Sequence, residues 1–302
     1  MKNKIKPWIQ AARLRTLPLS VSGIIVGSAY AHYQGFSDWS IVILALLTTL
    51  GLQVLSNYAN DYGDGVKGTD ANRIGEKRLV AAGIISAEQM KRAVIITAIT
   101  TFMLALALIY IAFGKENFIF SLIFILLGIG SIGAAIKYTV GKGAYGYSGF
   151  GDLFVFVFFG WVSVIGSNFL FTHFIDWKLF LPASSIGLLS VAVLNLNNMR
   201  DIENDKIAGK NTLVVKMGLN WAKKYHEACI SIASIMFVVF CLIVKITAIP
   251  VLIINIPLLM HIGKINKSEK YEDFDPELKK VALTTFALSI LFWLFLCVIP
   301  DF

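Results

Sequence analysis

The sequence has few charged residues. Of its 302 residues, 15% are Asp, Glu, Lys or Arg and 57% are apolar, whereas soluble domains have about 25% charged and about 45–50% apolar residues. This balance excludes an ordinary soluble domain and a disordered chain. Cysteine is scarce too: Cys229, Cys241 and Cys297 lie in apolar stretches without CxxC spacing. A disulfide framework and a zinc knuckle are therefore not expected.

Nucleotide-binding motifs are also missing. The sequence contains no P-loop and no GxGxxG between a strand and a helix, so we expect no nucleotide-binding domain. It also lacks the alternating segments of about ten residues that form transmembrane β-barrels.

Long apolar runs dominate the chain instead. A membrane-spanning helix needs about 20 mostly apolar residues, because only its own backbone can satisfy its N–H and C=O groups in lipid. Nine runs meet this need, so we predict an all-α membrane protein, a bundle of nine helices surrounded by lipid. The predicted spans are 16–34, 39–57, 93–113, 118–137, 153–172, 179–199, 228–244, 246–262 and 281–300.

The charges between the runs predict the topology. With the N-terminus in the cytoplasm, 24 of the 27 Lys and Arg residues fall on the cytoplasmic side, leaving Lys115, Lys178 and Lys245 outside. This asymmetry follows the positive-inside rule and supports nine spans. No cleavable signal pattern precedes the first run, which we expect to be retained. The net charge of +8 is then a topology signal, and no nucleic-acid partner is expected.

A polar motif follows the second predicted span. Asn57, Asn60, Asp61 and Asp64 are spaced i, i+3, i+4 and i+7, which places them on one face if the helix continues. Asp70 follows six residues later. An apolar membrane helix would thus end in a stripe of oxygen ligands.

A second motif follows the sixth predicted span. Asn198 precedes Asp201 and Asp205, which are spaced i and i+4. Clustered carboxylates repel one another unless a positive group lies between them. Hard oxygen ligands of this kind suit Mg²⁺ bound to a diphosphate. The alternative for either motif alone is a solvated loop or a helix cap.

Basic residues accompany both motifs. They could bind diphosphate oxygens, although positive-inside bias is an alternative explanation for each of them. They are Lys67, Arg73, Lys77, Arg78, Arg200 and Lys210.

Four stretches together resemble the UbiA superfamily of intramembrane aromatic prenyltransferases, and most closely its 1,4-dihydroxy-2-naphthoate polyprenyltransferase branch. They are 13–18, 57–70, 138–152 and 197–213. The resemblance implies one transmembrane domain over 1–302, in a bacterial cell membrane with its active site facing the cytoplasm. It implies transfer of a polyprenyl chain from its diphosphate to 1,4-dihydroxy-2-naphthoate, with loss of CO₂ and diphosphate, giving demethylmenaquinol.

The resemblance and the motif chemistry together give the predicted site residues. Asp61, Asp64, Asp201 and Asp205 are the predicted catalytic residues, and with Asn60 and Asp70 they are the predicted Mg²⁺ ligands. Arg15 is the first choice for the acceptor carboxylate, ahead of Lys142, with Arg13 left open. Aromatic residues including Tyr138, Tyr145, Tyr147, Phe154 and Phe158 are candidate walls for a carbocation. The predicted substrate-binding residues are Arg15, Asn57, Asn60, Lys67, Arg78, Tyr138, Lys142, Tyr145, Asn198, Arg200 and Lys210.

Two other functions stay open. One is a UbiA-type transferase with another acceptor, such as 4-hydroxybenzoate, homogentisate or haem. The other is an ion-coupled transporter, because carboxylates within a membrane often mark ion paths. Both motifs are predicted on one side of the membrane, which favours an enzyme.

Overall fold

A computed structural model of the chain describes residues 5–68, 78–141, 143–244, 246–247 and 249–298. Every regular element in these ranges is helical, which confirms the predicted class. The helices are α1 (Lys6–Ala12), α2 (Leu17–Tyr33), α3 (Trp39–Lys67), α4 (Ala87–Phe113), α5 (Phe118–Lys137), α6 (Gly151–Val155), α7 (Ser163–Thr172), α8 (Phe180–Arg200), α9 (Ile202–Ile207), α10 (Leu213–Met217), α11 (Leu219–Ile243), α12 (Ile249–Lys267) and α13 (Phe274–Val298). Shorter 3₁₀ turns are Leu14–Thr16, Tyr145–Tyr147, Trp177–Leu179 and Tyr271–Asp273.

Eight helical segments of the described residues are long and apolar enough to cross a membrane. They are α3, α4, α5, the continuous α6–α7 segment, α8, α11, α12 and α13. The chain is therefore a multi-pass membrane protein. Helix α2, the predicted first span, has 17 residues, at the lower end of the range of about 17–25 that can span. The count of nine and the orientation of the N-terminus stay predictions.

Several spans begin earlier than predicted. Helix α4 begins at Ala87, α11 at Leu219 and α13 at Phe274, whereas the apolar runs begin at 93, 228 and 281. Each added turn carries polar or charged residues, because a helix can continue past the hydrocarbon region wherever its side chains reach water. At α4 the start is fixed by a capping box between Ser86 and Gln89. The connection between the second and third predicted spans is therefore shorter than the 35 residues between 57 and 93, because α3 ends at Lys67 and α4 begins at Ala87.

Small residues allow the central helices to pack closely. Gly23 and Gly27 of α2 face Ser163 and Ser167 of α7 so closely that a Cβ at either glycine would overlap the serine. Close approach through small residues is typical of helix pairs in membranes, where burial of apolar surface gives no extra driving force. Helix α8 lies at the centre, in contact with α11, α13 and the α6–α7 segment.

A wide π-type turn, Phe156–Val162, joins α6 to α7. Its Gly160 packs directly against Gly187 of α8. The turn also directs Phe158 and Phe159 toward the interior cavity. Such turns within helices occur frequently at functional sites.

A buried polar chain joins the last three long helices. His226 Nε2 of α11 lies 2.7 Å from His261 Nε2 of α12. His261 Nδ1 in turn lies 2.5 Å from a carboxylate oxygen of Glu277 in α13, which also accepts from Lys264. These contacts satisfy buried polar groups and fix the three helices relative to one another.

Candidate active site

A cavity of about 370 Å³ opens between the helices at the end where both polar motifs lie. One part of its wall is polar, with residues from the ends of α3 and α8 and from the loops beside them. The other part is apolar and aromatic. The polar lining residues include Arg13, Arg15, Asn57, Asn60, Asp64, Arg78, Tyr138, Tyr145, Tyr147, Asn197, Asn198, Asp201, Asp205 and Lys210.

The first motif lies on α3, which continues past the predicted span of 39–57 to Lys67, so the condition for placing the polar residues on one helix is met. Asn57, Asn60 and Asp64 line the cavity. The amide of Asn57 donates to the carbonyl of Ala12 at 2.8 Å, and Asn60 accepts from the Thr139 hydroxyl at 3.0 Å. These bonds tie the start of the chain and the loop after α5 to the motif.

Asp61 does not line the cavity with the other motif residues. Its two carboxylate oxygens accept the backbone N–H groups of Leu79 at 3.0 Å and Val80 at 2.9 Å, and its side chain is buried. Asp61 thus lies apart from the cavity lining that Asn57, Asn60 and Asp64 share, and its role as a Mg²⁺ ligand stays a prediction. Successive residues of an α-helix are rotated by about 100°, so Asp61 points well away from Asn60 and lies at the edge of the stripe.

Among the described residues, Tyr147, Arg78 and Lys210 contact Asp64 from outside its own helix. The Tyr147 hydroxyl donates to its Oδ1 at 2.7 Å, Arg78 lies 3.3 Å from Oδ2, and the Lys210 Nζ lies 3.4 Å from Oδ1. The carboxylate is buried. Its charge is thus balanced by cations that themselves line the cavity.

The second motif begins where α8 ends. Arg200 is the last residue of α8, and Asp201 begins the turn into α9. The Asp205 N–H donates to the Asp201 carbonyl at 2.8 Å, which continues the helical path across this bend. Asp201, Asp205 and Asn198 all line the cavity.

Lys210 links the two motifs. Its Nζ lies 3.4 Å from Asp64 and 3.8 Å from Asp205. The predicted convergence of the two motifs on one site is therefore observed, with an ammonium group between the carboxylates. Among the described residues, no three His, Cys, Asp or Glu side chains are close enough to hold a metal by themselves.

Tyr147 lies over the junction of the two motifs, formed by Asp64, Lys210 and Asp205. Its ring is within 4.2 Å of the Lys67 Nζ and 4.9 Å of the Lys210 Nζ, distances typical of cation–π contacts. Its carbonyl accepts the N–H of Asn211 at 2.9 Å. The loop after α5 is thereby joined to both motifs at the cavity mouth.

Aromatic rings form another part of the cavity wall, to which Tyr138 and Tyr145 also belong. The rings of Tyr145 and Phe154 stack with centroids 4.0 Å apart, Phe158 continues the stack, and Tyr138 meets Tyr145 edge to face. All four line the cavity. Burial raises the pKa of Tyr138 and of Tyr145, so both remain neutral phenols.

The predicted acceptor residues lie at the start of the chain. Arg13 and Arg15 both line the cavity. Arg13 has a left-handed backbone (φ 53°), which ends α1 and turns the chain into the 3₁₀ turn that carries Arg15. Lys142 lies outside the described residues, as do Asp70, Arg73 and Lys77.

Two predicted substrate-binding residues lie away from the cavity surface. Lys67 donates to the Thr139 carbonyl at 2.7 Å. Arg200 is fully buried and holds Asp201 with two hydrogen bonds, of 2.8 and 2.7 Å. Both residues support groups that line the cavity. The sequence did not predict one further residue, Asp275. It contacts Arg15, 260 positions away in the sequence, and Arg200, 75 positions away.

Fold and site together define an integral membrane protein in which two carboxylate motifs and several cations surround the mouth of an aromatic-walled cavity. Residues 20–279 match the UbiA prenyltransferase family, and the chain belongs to that family.

Relatives and a solved structure agree with this placement. The chain is 48% identical to the 1,4-dihydroxy-2-naphthoate octaprenyltransferase of Escherichia coli (strain K12) over 235 residues, 77% of this chain and 75% of the relative. It is 42% identical to the Haemophilus influenzae protein of the same name over 298 residues, 97% of this chain and 96% of the relative. The structure of a UbiA homolog from Archaeoglobus fulgidus bound to GPP and Mg²⁺ superposes with a TM-score of 0.62 and 17% identity, covering 93% of this chain and 99% of that chain.

Proposed function

We propose that the protein transfers a polyprenyl chain from polyprenyl diphosphate to 1,4-dihydroxy-2-naphthoate. The allylic C–O bond to diphosphate breaks, a C–C bond forms at the ring carbon that bears the carboxylate, and CO₂ leaves with diphosphate as the second product. Demethylmenaquinol results, a step of menaquinone biosynthesis. The names of the curated relatives support the acceptor. The observation that carries the chemistry is the junction of Asp64, Lys210 and Asp205 at the mouth of an aromatic cavity.

The polar mouth fits a magnesium diphosphate. Asp64, Asp201 and Asp205, with the amide oxygens of Asn60 and Asn198, supply hard oxygen donors but no complete cage. Mg²⁺ commonly binds through one or two carboxylates and takes its other ligands from water and substrate phosphates. When bound, Mg²⁺ neutralises charge that develops on the departing diphosphate. The Archaeoglobus homolog, whose structure is bound to GPP and Mg²⁺, supports this requirement.

The cations at the mouth assist the diphosphate. Arg78 and Lys210 pair with Asp64, and both line the cavity, so each is within reach of a bound phosphate. Charge-assisted hydrogen bonds to phosphate oxygens are about twice as strong as neutral ones. These residues thus stabilise the leaving group while the carboxylates hold its metal.

The rest of the cavity protects the allylic cation. Tyr145, Phe154 and Phe158 line the cavity, and aromatic π systems attract positive charge. Apolar walls keep out water that would otherwise quench the cation. Arg15, which also lines the cavity, binds the acceptor carboxylate. We place the enzyme in a bacterial cell membrane, with this mouth facing the cytoplasm and the prenyl tail among lipids.

Purified protein in detergent or lipid, incubated with Mg²⁺, tests the function directly. A panel of aromatic acids and prenyl diphosphates is offered, and the product mass reports the acceptor, loss of CO₂ and chain length together. We expect turnover with 1,4-dihydroxy-2-naphthoate, and its loss in EDTA with recovery on adding Mg²⁺. Turnover only with 4-hydroxybenzoate or homogentisate would identify another family member. Absence of diphosphate release with every pair would contradict an enzyme and favour transport.

Asp61→Asn should lower stability more than activity. The Asp61 carboxylate accepts two backbone N–H groups, and an amide retains one acceptor oxygen but places an NH₂ group against the other donor. We expect a loss of about 1–3 kcal/mol in unfolding free energy, seen as a lower melting temperature in detergent. The KM for polyprenyl diphosphate and the Mg²⁺ concentration for half-maximal rate should stay unchanged. A large rise in the Mg²⁺ requirement would instead restore Asp61 as a metal ligand.

Tyr147→Phe should weaken diphosphate binding. The change removes the hydroxyl that donates to Asp64 but keeps the ring against Lys67 and Lys210. We expect the KM for polyprenyl diphosphate to rise about tenfold, the size of one hydrogen bond to a charged group. Tyr110→Phe, at an exposed tyrosine of α4, is the control. An unchanged KM in Tyr147→Phe would show that the hydroxyl does not position Asp64.

A further inference from the structure

Asp275 connects two arginines that are far apart in sequence. It lies in the first turn of α13, outside the cavity lining. Its Oδ2 accepts from NH1 of Arg15 at 3.2 Å, and its Oδ1 accepts from NH1 of Arg200 at 2.5 Å. One carboxylate thus binds the start of α2 and the end of α8 to the start of α13.

Arg200 continues this connection to the second motif. Its Nε and NH2 bind the two oxygens of Asp201, and NH2 also binds the side-chain oxygen of Asn197 at 2.7 Å. Asp201 and Arg15 both line the cavity. A continuous chain of alternating charge therefore runs from Arg15 through Asp275 and Arg200 to Asp201.

The positive and negative charges of these four side chains balance. Two guanidinium groups alternate with two carboxylates, and Arg200 is fully buried. The position of Asp275 at a helix N-terminus favours its ionised form. Removing its charge would leave the buried arginine with Asp201 alone for neutralisation.

We propose that Asp275 is a positioning residue for the acceptor. It holds the Arg15 guanidinium at the cavity wall in the orientation that receives the acceptor carboxylate, and it couples that orientation to the Asp201 side of the site. A guanidinium has five N–H donors in a fixed plane, enough to bind a second carboxylate while Asp275 holds NH1. This inference rests on the proposed function, because it takes the acceptor to be an aromatic acid.

Asp275→Asn tests the role by separating the two substrates. We expect the KM for 1,4-dihydroxy-2-naphthoate to rise about tenfold, as for loss of one charge-assisted hydrogen bond. The KM for polyprenyl diphosphate should change less than about twofold, since Arg200 keeps its bonds to Asp201. Asp275→Glu retains the charge on a longer arm and should give an intermediate acceptor KM. Glu272→Gln makes the same charge change at a residue three positions earlier, outside the cavity lining, and should match the unmodified protein.

A double-variant cycle then shows whether Asp275 acts through Arg15. If it does, Asp275→Asn combined with Arg15→Ala should have the same acceptor KM as Arg15→Ala alone, because the two changes remove one function. Additive effects on acceptor KM would overturn the proposal. All variants are compared by gel-filtration profile and melting temperature, and Asp275→Glu carries the test if Asp275→Asn does not fold.

Other outcomes separate this inference from the function on which it rests. An acceptor KM that stays constant or falls in Asp275→Asn, in protein that turns over naphthoate, overturns only the positioning role. An equal rise in both KM values also overturns it, because that would indicate a general structural effect. If the unmodified protein does not use any aromatic acid, the proposed function itself has failed.

Discussion

Asp64→Asn and Asp201→Asn should each abolish prenyl transfer while leaving a folded, membrane-inserted protein. Each change preserves the shape of the side chain but removes a negative charge at the mouth of the cavity, where Mg²⁺ and diphosphate are proposed to bind. We expect turnover to fall by about 10³-fold or more, because ionisation of the allylic bond depends on neutralising the leaving group. Product formation under saturating substrate and Mg²⁺ is the measurement.

The structure suggests how the two variants differ. Asp64 is surrounded by Arg78, Lys210 and Tyr147, so its loss leaves two cations facing each other without the carboxylate between them. Asp201 is paired with the buried Arg200, so its loss leaves Arg200 with Asp275 as its remaining carboxylate partner. Asp201→Asn should therefore also lower the melting temperature.

Glu203→Gln is the matched control. Glu203 lies two residues after Asp201 in the short helix α9, but it is exposed and pairs with Lys206 at 3.0 Å. The same loss of charge there should leave turnover unchanged. If Asp64→Asn and Asp201→Asn both retain turnover near that of Glu203→Gln, the proposed metal site is wrong.

Much of the fold and most of the polar wall could be predicted from local sequence. Apolar runs predict spans because lipid offers no hydrogen bonds to the backbone, and the structure has helices at each predicted run. Helical spacing correctly placed Asn57, Asn60 and Asp64 on the cavity side of α3. The same rule failed for Asp61, because spacing alone does not say that a later loop would bring the Leu79 and Val80 amides to it.

Contacts between distant segments form the parts of the site that local sequence did not predict. The sequence around Asp275 carries no motif, and its role depends on α13 starting beside the end of α8 and the start of α2, which only tertiary packing determines. The π-type turn that carries Phe158 to the cavity likewise packs through Gly160 on Gly187, a contact between distant segments that local spacing does not show. The contacts of Lys67 also depend on distant segments: it donates to the Thr139 carbonyl and lies over the Tyr147 ring, while its role in binding phosphate stays a prediction.

Arg15→Ala should raise the KM for the acceptor far more than the KM for polyprenyl diphosphate. The Arg15 side chain lines the cavity and is anchored by Asp275, whereas Arg78 and Lys210 pair with Asp64. Loss of one or two charge-assisted hydrogen bonds to a carboxylate predicts an increase of about 10- to 100-fold. Arg15→Lys keeps the charge but loses the planar guanidinium fork, so its acceptor KM should lie between those of the unmodified protein and Arg15→Ala. Initial rates with each substrate varied in turn give both constants.

Two further arginines calibrate this result. Arg92→Ala removes an exposed cation of α4 that pairs with Glu88, and neither KM should change. Arg13→Ala removes the other arginine that lines the cavity beside Arg15, so a larger acceptor effect there than in Arg15→Ala would transfer the proposed role to Arg13. If Arg15→Ala raises both KM values equally, or changes neither, Arg15 does not bind the acceptor. Another cation at the cavity mouth would then bind the acceptor carboxylate.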